Sequence, residues 1–306
     1  IPLQMEITLL RIAIHLLPQN YANGTTFANF ACPDAFFGVT LTKTIHNKNM
    51  KRNFLLLIAA LFCTAQAFAW GQKGHDVTAF IAENHLTDNA KSKIVAALDG
   101  HSLVYYANWL DNASNTQEYR YTKTWHYKNV DADETYENAQ LATTGDVVVA
   151  LKDIVAKLKN GKLSHEDENI ALRMIIHLVG DMHQPLHMGH RSDRGGNQVK
   201  ITSFNRNTNL HSYWDSEIVE FVHKWSYSEW QYQIDRASAE EEAKIVAGDF
   251  DTWAKEGVNI ARGIYADTPD GTRVSYDYAA KYAPTVEQQL LKGGLRLAHL
   301  LNEIYK

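Results

Sequence analysis

Apolar residues recur at helical spacing through most of the chain beyond residue 70. Val77, Phe80 and Ile81 share one face of a first segment, and Val147, Val148, Leu151, Ile154, Val155 and Leu158 share one face of a second, which the pair Asn160-Gly161 should end. A third helix is expected to begin after Ser164, where Asp167 makes an Asp-for-Glu version of a capping box. It runs through Ile170, Leu172, Ile175, Ile176 and Val179 until Pro185, whose ring and missing N–H bar continuation. From about Ser226 to Tyr305 the pattern is helical again. Alternation of the strand kind is confined to about 198–204, just after the turn-forming Gly195-Gly196. The fold class read from this is mainly α: one multi-helix domain with a short strand or β-hairpin, undivided by any linker, repeat or low-complexity tract.

The amino-terminal region reads differently. From Met50 the chain offers two cations, Lys51 and Arg52, then an apolar run from Phe54 to Cys63, then Ala67-Phe68-Ala69. That order is the order of a secretory signal peptide, and ten apolar residues fall well short of the roughly 20 that span a bilayer. The expected organisation is an upstream extension at 1–49 outside the mature protein, a signal peptide at 50–69, and a domain at 70–306. Cleavage before Trp70 would deliver the domain to the periplasm or outside the cell, with no membrane anchor.

Composition narrows the chemistry. The chain of 306 residues has 45% hydrophobic and 21% charged residues, an ordinary globular profile. Its net charge of -5 becomes about -8 without residues 1–69, because five of the 30 cations and two of the 35 anions lie there. Nucleic acid could not be held by a generally basic surface. Both cysteines, Cys32 and Cys63, also precede Trp70, so a thiolate zinc cage is excluded and imidazole and carboxylate remain as metal ligands. Histidine is abundant, with 14 residues.

Two of those histidines are followed by an aspartate four positions on: His177 with Asp181, and His211 with Asp215. On a helix such a pair sits on one face, one turn apart, and can offer a nitrogen and an oxygen to one point. The first pair lies in an otherwise apolar stretch, LRMIIHLVGDMHQPLH, where burying a lone His and Asp would cost several kcal/mol, on the order of 2–7 per unpaired group. Something must neutralise them. His187 follows beyond Pro185, on a loop that can turn toward a neighbouring metal, while His183 is expected to be structural.

The chain also carries Trp70-Gly71 with Gly74-His75, Trp109-x-Asp111, Trp125-His126-Tyr127, HLVGDMHQPLH at 177–187, Gly195-Gly196-Asn197, and NLHSYWD at 209–215. In order and separation this resembles the zinc-dependent single-strand nucleases of fungi, plants and bacteria, the S1/P1 type that includes mung bean nuclease. The resemblance covers nearly all of 70–215. It implies a phospholipase C/nuclease-like helical fold with three Zn2+ per chain. Carried over residue by residue, Asp111, His126, His177 and Asp181 hold one ion. The α-amino group and carbonyl of Trp70, with His75 and again Asp181, hold the second. His187, His211 and Asp215 hold the third. Asp111 and Asp181 are then the carboxylates at the reacting centre, and a free chain end at Trp70 is what the signal-peptide reading would supply.

The activity implied is hydrolysis of single-stranded DNA and RNA to 5′-phosphate products, with 3′-nucleotides as further substrates and no obligate protein partner. Tyr213, Trp214, Tyr105 and Tyr106 are the aromatics near the ligands in sequence, expected chiefly to pack helices, so substrate-binding residues stay unassigned. One departure stands out: family members commonly have a basic residue where this chain has Ser114, with Arg120 and Lys123 as the nearby cations. Two alternatives remain at this point, a zinc-dependent phospholipase C and a non-catalytic zinc-binding protein.

Overall fold

Short polar side chains mark where most helices begin. The structure, a computed structural model, describes residues 70–306, so the expected extension (1–49) and signal peptide (50–69) lie outside the described residues. The first half comprises α1 (Gln72–Asn84), α2 (Asp88–Ala97), the short α3 (Leu103–Tyr106) and α4 (Trp109–Ala113), α5 (Val147–Asn160) and α6 (His165–Met182). Thr87, Ser102, Asp146 and Ser164 each accept a backbone N–H from the first turn of the helix that follows. Such caps contribute about 1 kcal/mol apiece. At α6 the box is only half formed. The Ser164 hydroxyl accepts from the Asp167 N–H at 3.1 Å, but the shorter Asp167 carboxylate takes the hydroxyl proton at 2.6 Å instead of reaching back to the backbone.

A 3-10 turn at Pro185–Met188 follows α6, as the proline requires. The chain then forms β1 (Lys200–Ser203) and β2 (Arg206–Asn209), an antiparallel hairpin in register from Lys200↔Asn209 to Ser203↔Arg206. The expected strand is β1. A two-residue β3 (Arg273–Val274) pairs parallel to β1 and was not foreseen, since two residues show no alternation. After the hairpin come α7 (Leu210–Ser212), a π-helical turn at Tyr213–Glu217, α8 (Ile218–Val222), α9 (Tyr227–Ile234), α10 (Ala239–Val246), α11 (Phe250–Asp267) and the long α12 (Tyr276–Ile304).

The buried apolar residues form two clusters. One joins the inner faces of α5 and α6 (Leu151, Ile154, Leu172, Ile175, Val179) to Leu297 and Leu301 of α12. The other gathers Trp70, Val77, Ile81, Leu186, Tyr213, Trp214, Trp230 and Leu290. Helix α1 feeds both, with Ala79 and Ala82 in the first and Val77 and Ile81 in the second, so it is wedged between them and carries His75 to that seam. Among the described residues no helix is long and apolar enough to cross a membrane.

Candidate metal centre

The seam between the two clusters is where the imidazoles and carboxylates collect. His177 and Asp181 leave α6 one turn apart and both are fully buried. His75 arrives from α1 and lies flat on His177, ring centroids 4.0 Å apart. Its approach depends on Gly180: a Cβ there would stand 2.7 Å from His75 Nδ1. Asp111 from α4 and His126 from the loop after the 3-10 turn Arg120–Thr124 close the group. His177 Nε2 is 3.2 Å from Asp181 Oδ2 and 3.4 Å from Asp111 Oδ1; His126 Nδ1 is 2.9 Å from Asp181 Oδ2, and His75 Nε2 is 3.5 Å from Asp181 Oδ1. Asp181 is thus shared by everything around it.

His187, His211 and Asp215 form a neighbouring group. His187 rides on the Pro185–Met188 turn, within 3.4 Å of Asp181 Oδ1 through Nδ1 and 3.8 Å of Asp215 Oδ1 through Nε2. His211 Nε2 lies 3.3 Å from Asp215 Oδ2. The expected one-turn spacing of this pair is realised across the π turn, where the Ile218 N–H reaches back to Tyr213 O, and such wide turns often mark functional sites.

Backbone carbonyls fix the rings. His177 Nδ1 bonds Ala107 O at 2.7 Å, His187 Nδ1 bonds His126 O at 2.6 Å, and His211 Nδ1 bonds Gly195 O at 2.6 Å. With the proton on Nδ1, each neutral ring presents a lone pair at Nε2. Gln184, fully buried, donates one amide hydrogen bond to Asp215 Oδ1 and accepts the Leu186 N–H through its carbonyl oxygen. Sequence reasoning passed over Gln184, although a glutamine inside HQPLH between two ligand candidates was a usable signal.

The electrostatics is unfinished. Burial alone would lower the His177 pKa, but Asp181 and Asp111 together lift it well above the ordinary value. Burial would raise Asp181, yet His177, His126 and His187 hold it well below. In the second group no such balance forms: burial pushes Asp215 well above the carboxylate range and His187 down to about 3. Both ring nitrogens of His75, Nε2 of His126, both oxygens of Asp181 and Oδ2 of Asp215 are buried and make no hydrogen bond. Each such atom is costly, by roughly 1–3 kcal/mol. His177 Nε2 and His126 Nδ1 also face each other at 3.2 Å, a contact that needs a proton or another cation between the two nitrogens.

Cations would resolve all of this, and the donor set is of the N/O kind that zinc takes. Among the described residues four groups have ligand atoms within 4.8 Å of one another and could hold a metal ion, and three of them lie here: His75, Asp111 and His177; His126, His177 and Asp181; and His187, His211 and Asp215; the fourth, His85, Asp235 and Glu242, lies elsewhere. All eight side chains expected from sequence are therefore brought together. Trp70, the remaining expected ligand, has a fully buried indole packed against Gly74 rather than a surface one. Of the aromatics near the ligands in sequence, Tyr106, Tyr213 and Trp214 are core, while Tyr105 is exposed and stacked on His101. His183 stays out of the centre, bonding Val179 O through Nδ1 and Arg296 through Nε2.

Asp111, His126, His187 and His211 open onto a cavity of about 600 Å³. Ser114 lines it but is uncharged, its Oγ donating to Asp111 O at 3.3 Å; Lys123 also lines it, whereas Arg120 does not. Lys128, Arg191 and Arg194 are further lining cations that sequence reasoning did not single out.

A family model described as S1/P1 nuclease matches residues 70–306, the whole of the described structure. Endonuclease 4 of Arabidopsis thaliana is 28% identical over 270 residues, which covers 78% of this chain and 90% of that protein. Nuclease S1 of Aspergillus oryzae is 26% identical, covering 82% of this chain and 97% of its own, and nuclease P1 of Penicillium citrinum is 27% identical, covering 77% and 98%. A solved structure of Clostridium perfringens alpha-toxin aligns with a TM-score of 0.40 and 16% identity, over 79% of this chain and 65% of that one, too distant a likeness to bear weight. With a family match spanning 237 of its 306 residues, the chain belongs to the S1/P1 nuclease family, zinc-dependent hydrolases of phosphodiester bonds.

Proposed function

We propose that residues 70–306 form a trinuclear zinc nuclease, exported to the periplasm or cell exterior, that hydrolyses single-stranded DNA and RNA to 5′-phosphate products and also removes 3′-phosphates from nucleotides. The observation that carries this reading is the convergence of unsatisfied, buried imidazole and carboxylate atoms beside Asp111, His126, His187 and His211, which line one cavity. Asp111, His126, His177 and Asp181 would hold one ion, His75, Asp181 and the amine and carbonyl of a free Trp70 terminus a second, and His187, His211 and Asp215 the third. Bound zinc supplies Lewis acidity, lowering the pKa of water and offsetting charge on phosphate oxygens.

The chain's own part is to prepare that centre. Ala107 O, His126 O and Gly195 O hold three imidazoles in the tautomer that leaves Nε2 free. The Gln184 amide steadies one oxygen of Asp215 and leaves the other open. Burial of His187 and Asp215 excludes water from their flanks, so a cation there is felt strongly. The recess supports preference for single strands, because a flexible strand can feed a phosphate to the floor while a rigid duplex is stopped at the rim.

Parallel assays on single-stranded DNA, single-stranded RNA, duplex DNA, a 3′-nucleotide and phosphatidylcholine test the reading, with end-group analysis of the products. Cleavage of both single strands to 5′-phosphate ends, slow action on duplex and release of 3′-phosphate are expected. Lipid turnover without nucleic-acid turnover, or zinc binding without any turnover, would contradict it.

A further inference from the structure

The four cations around the cavity are not equivalent. Lys128 pairs with Asp146 at 2.9 Å, and Arg191 with Asp131 and Glu134 at 2.9 and 2.7 Å, so their charges are already answered. Lys123 and Arg194 are exposed and enter no ion pair among the described residues. Arg194 has a further peculiarity. Its φ is +61°, in the left-handed region that a residue with a long side chain seldom adopts.

The turn around it is locked. The Gly195 N–H donates to His190 O at 2.7 Å, the Gly196 N–H donates to Asp193 Oδ1 at 2.6 Å, and the Asn197 side-chain amide donates to Arg194 O at 2.9 Å. Asp193 is held in turn by the Tyr265 hydroxyl at 2.9 Å. Gly195 cannot be displaced: a Cβ on it would lie 2.8 Å from Leu186 O and 3.2 Å from His211 Nδ1, and its own carbonyl orients His211. An arginine at this left-handed position does nothing for the turn that glycine would not do better. What it adds is an unpaired guanidinium on a rigid mount, one residue from the carbonyl that sets the His211 ring, at the edge of the cavity.

We propose that Arg194 binds a phosphate of the nucleic-acid strand and so sets the strand's register over the metal centre. A planar guanidinium matches two phosphate oxygens at once, and a fixed backbone lets it do so with little loss of freedom. The proposal rests on the nuclease reading of the same cavity.

The test compares wild type with Arg194→Gly, Arg194→Gln and Arg194→Lys, each zinc-loaded, on a single-stranded DNA oligonucleotide over a range of salt. Arg194→Gly and Arg194→Gln should raise KM by about tenfold with a smaller change in kcat. They should also flatten the slope of log kcat/KM against log salt by about 0.7, the share of one single-strand phosphate. Arg194→Lys should recover part of the loss. Arg194→Gly should melt no lower than wild type and keep its zinc, because glycine accepts the backbone conformation. An unchanged KM and salt slope in Arg194→Gly overturns the proposal, and so does a raised KM that comes with lost zinc or a lowered melting temperature, which would make the residue structural. Wild type that leaves single strands uncut defeats the nuclease reading itself, an outcome visible before any variant is compared.

Discussion

Two buried polar groups lie within a turn of each other at the end of α6, and only one of them is complete. On one side His183 bonds Val179 O at 2.7 Å and Arg296 at 3.0 Å, and Arg296, 1% exposed, spends its other donors on Ile245 O at 2.9 Å and Glu256 at 2.8 Å above the Trp253 ring. Burial and the Arg296 charge push the His183 pKa down to about 3, which keeps its Nε2 a lone-pair acceptor. On the other side Asp181 is ringed by imidazoles yet neither of its oxygens accepts a hydrogen bond. Burial of a histidine says little by itself. A buried polar group that the protein leaves unfinished points to a ligand, since natural interiors complete nearly all the others.

Breaking each side should give opposite phenotypes. Asp181→Asn should reduce nuclease activity by about a thousandfold or more, the scale of losing an electrostatic group at the reacting centre, with zinc content reduced and the circular dichroism spectrum of a folded protein retained. A variant with near wild-type turnover would place the reacting centre elsewhere. Arg296→Leu should do the reverse. It leaves Glu256 with Lys292 at 3.1 Å and His183 without its donor, so chemical denaturation should show a loss of about 3 kcal/mol, while activity per folded molecule and zinc content stay close to wild type.

A smaller effect sharpens the same contrast at the surface. His85 meets both oxygens of Asp235 at 3.0 and 2.9 Å and lies 3.8 Å from Glu242, a His-Asp-Glu group that its own ion pair already satisfies. The hydrogen bond to Asp235 raises the His85 pKa. For Asp235, burial acts upward but the bonds from His85 and Gln231 win and lower it. A raised imidazole contributes stability that is fully present below its ordinary value of 6.5 and is lost as pH climbs through the raised value. A lowered carboxyl contributes stability present above its ordinary 3.8 and lost as pH falls through the lowered value. The stability gap between wild type and His85→Ala, about 1 kcal/mol or less for a partly exposed pair, should therefore be widest near pH 5 and shrink toward pH 8. Denaturation curves at the two pH values check it, and a gap that widens with pH would invert the assigned charge.

Much of this was readable in the chain because the decisive signals are local. The 177/181 spacing within an apolar helix identifies a buried His-Asp pair, and α6 supplies it with both side chains fully buried. Pro185 ends that helix and the Pro185–Met188 turn carries His187, as the sequence suggests. The 211/215 pair was legible as chemistry but not as geometry, since nothing in NLHSYWD announces a π turn. Long-range partners were invisible for the same reason that β3 was. The pairing of Arg296 with His183 spans 113 positions and that of His177 with Ala107 spans 70, and no periodicity encodes such meetings. Arg194 was hidden by its neighbours: Gly195-Gly196 reads as a turn, and only the backbone reveals that the arginine shares their left-handed conformation.

Elemental analysis of purified protein beginning at Trp70, checked by amino-terminal sequencing, asks whether eight side chains and one chain end enclose three cations, as proposed. Three zinc ions per chain are predicted, falling toward two when even one residue is left ahead of Trp70. One ion or none in the protein that starts at Trp70, or equal occupancy in both forms, would rule out the three-ion centre.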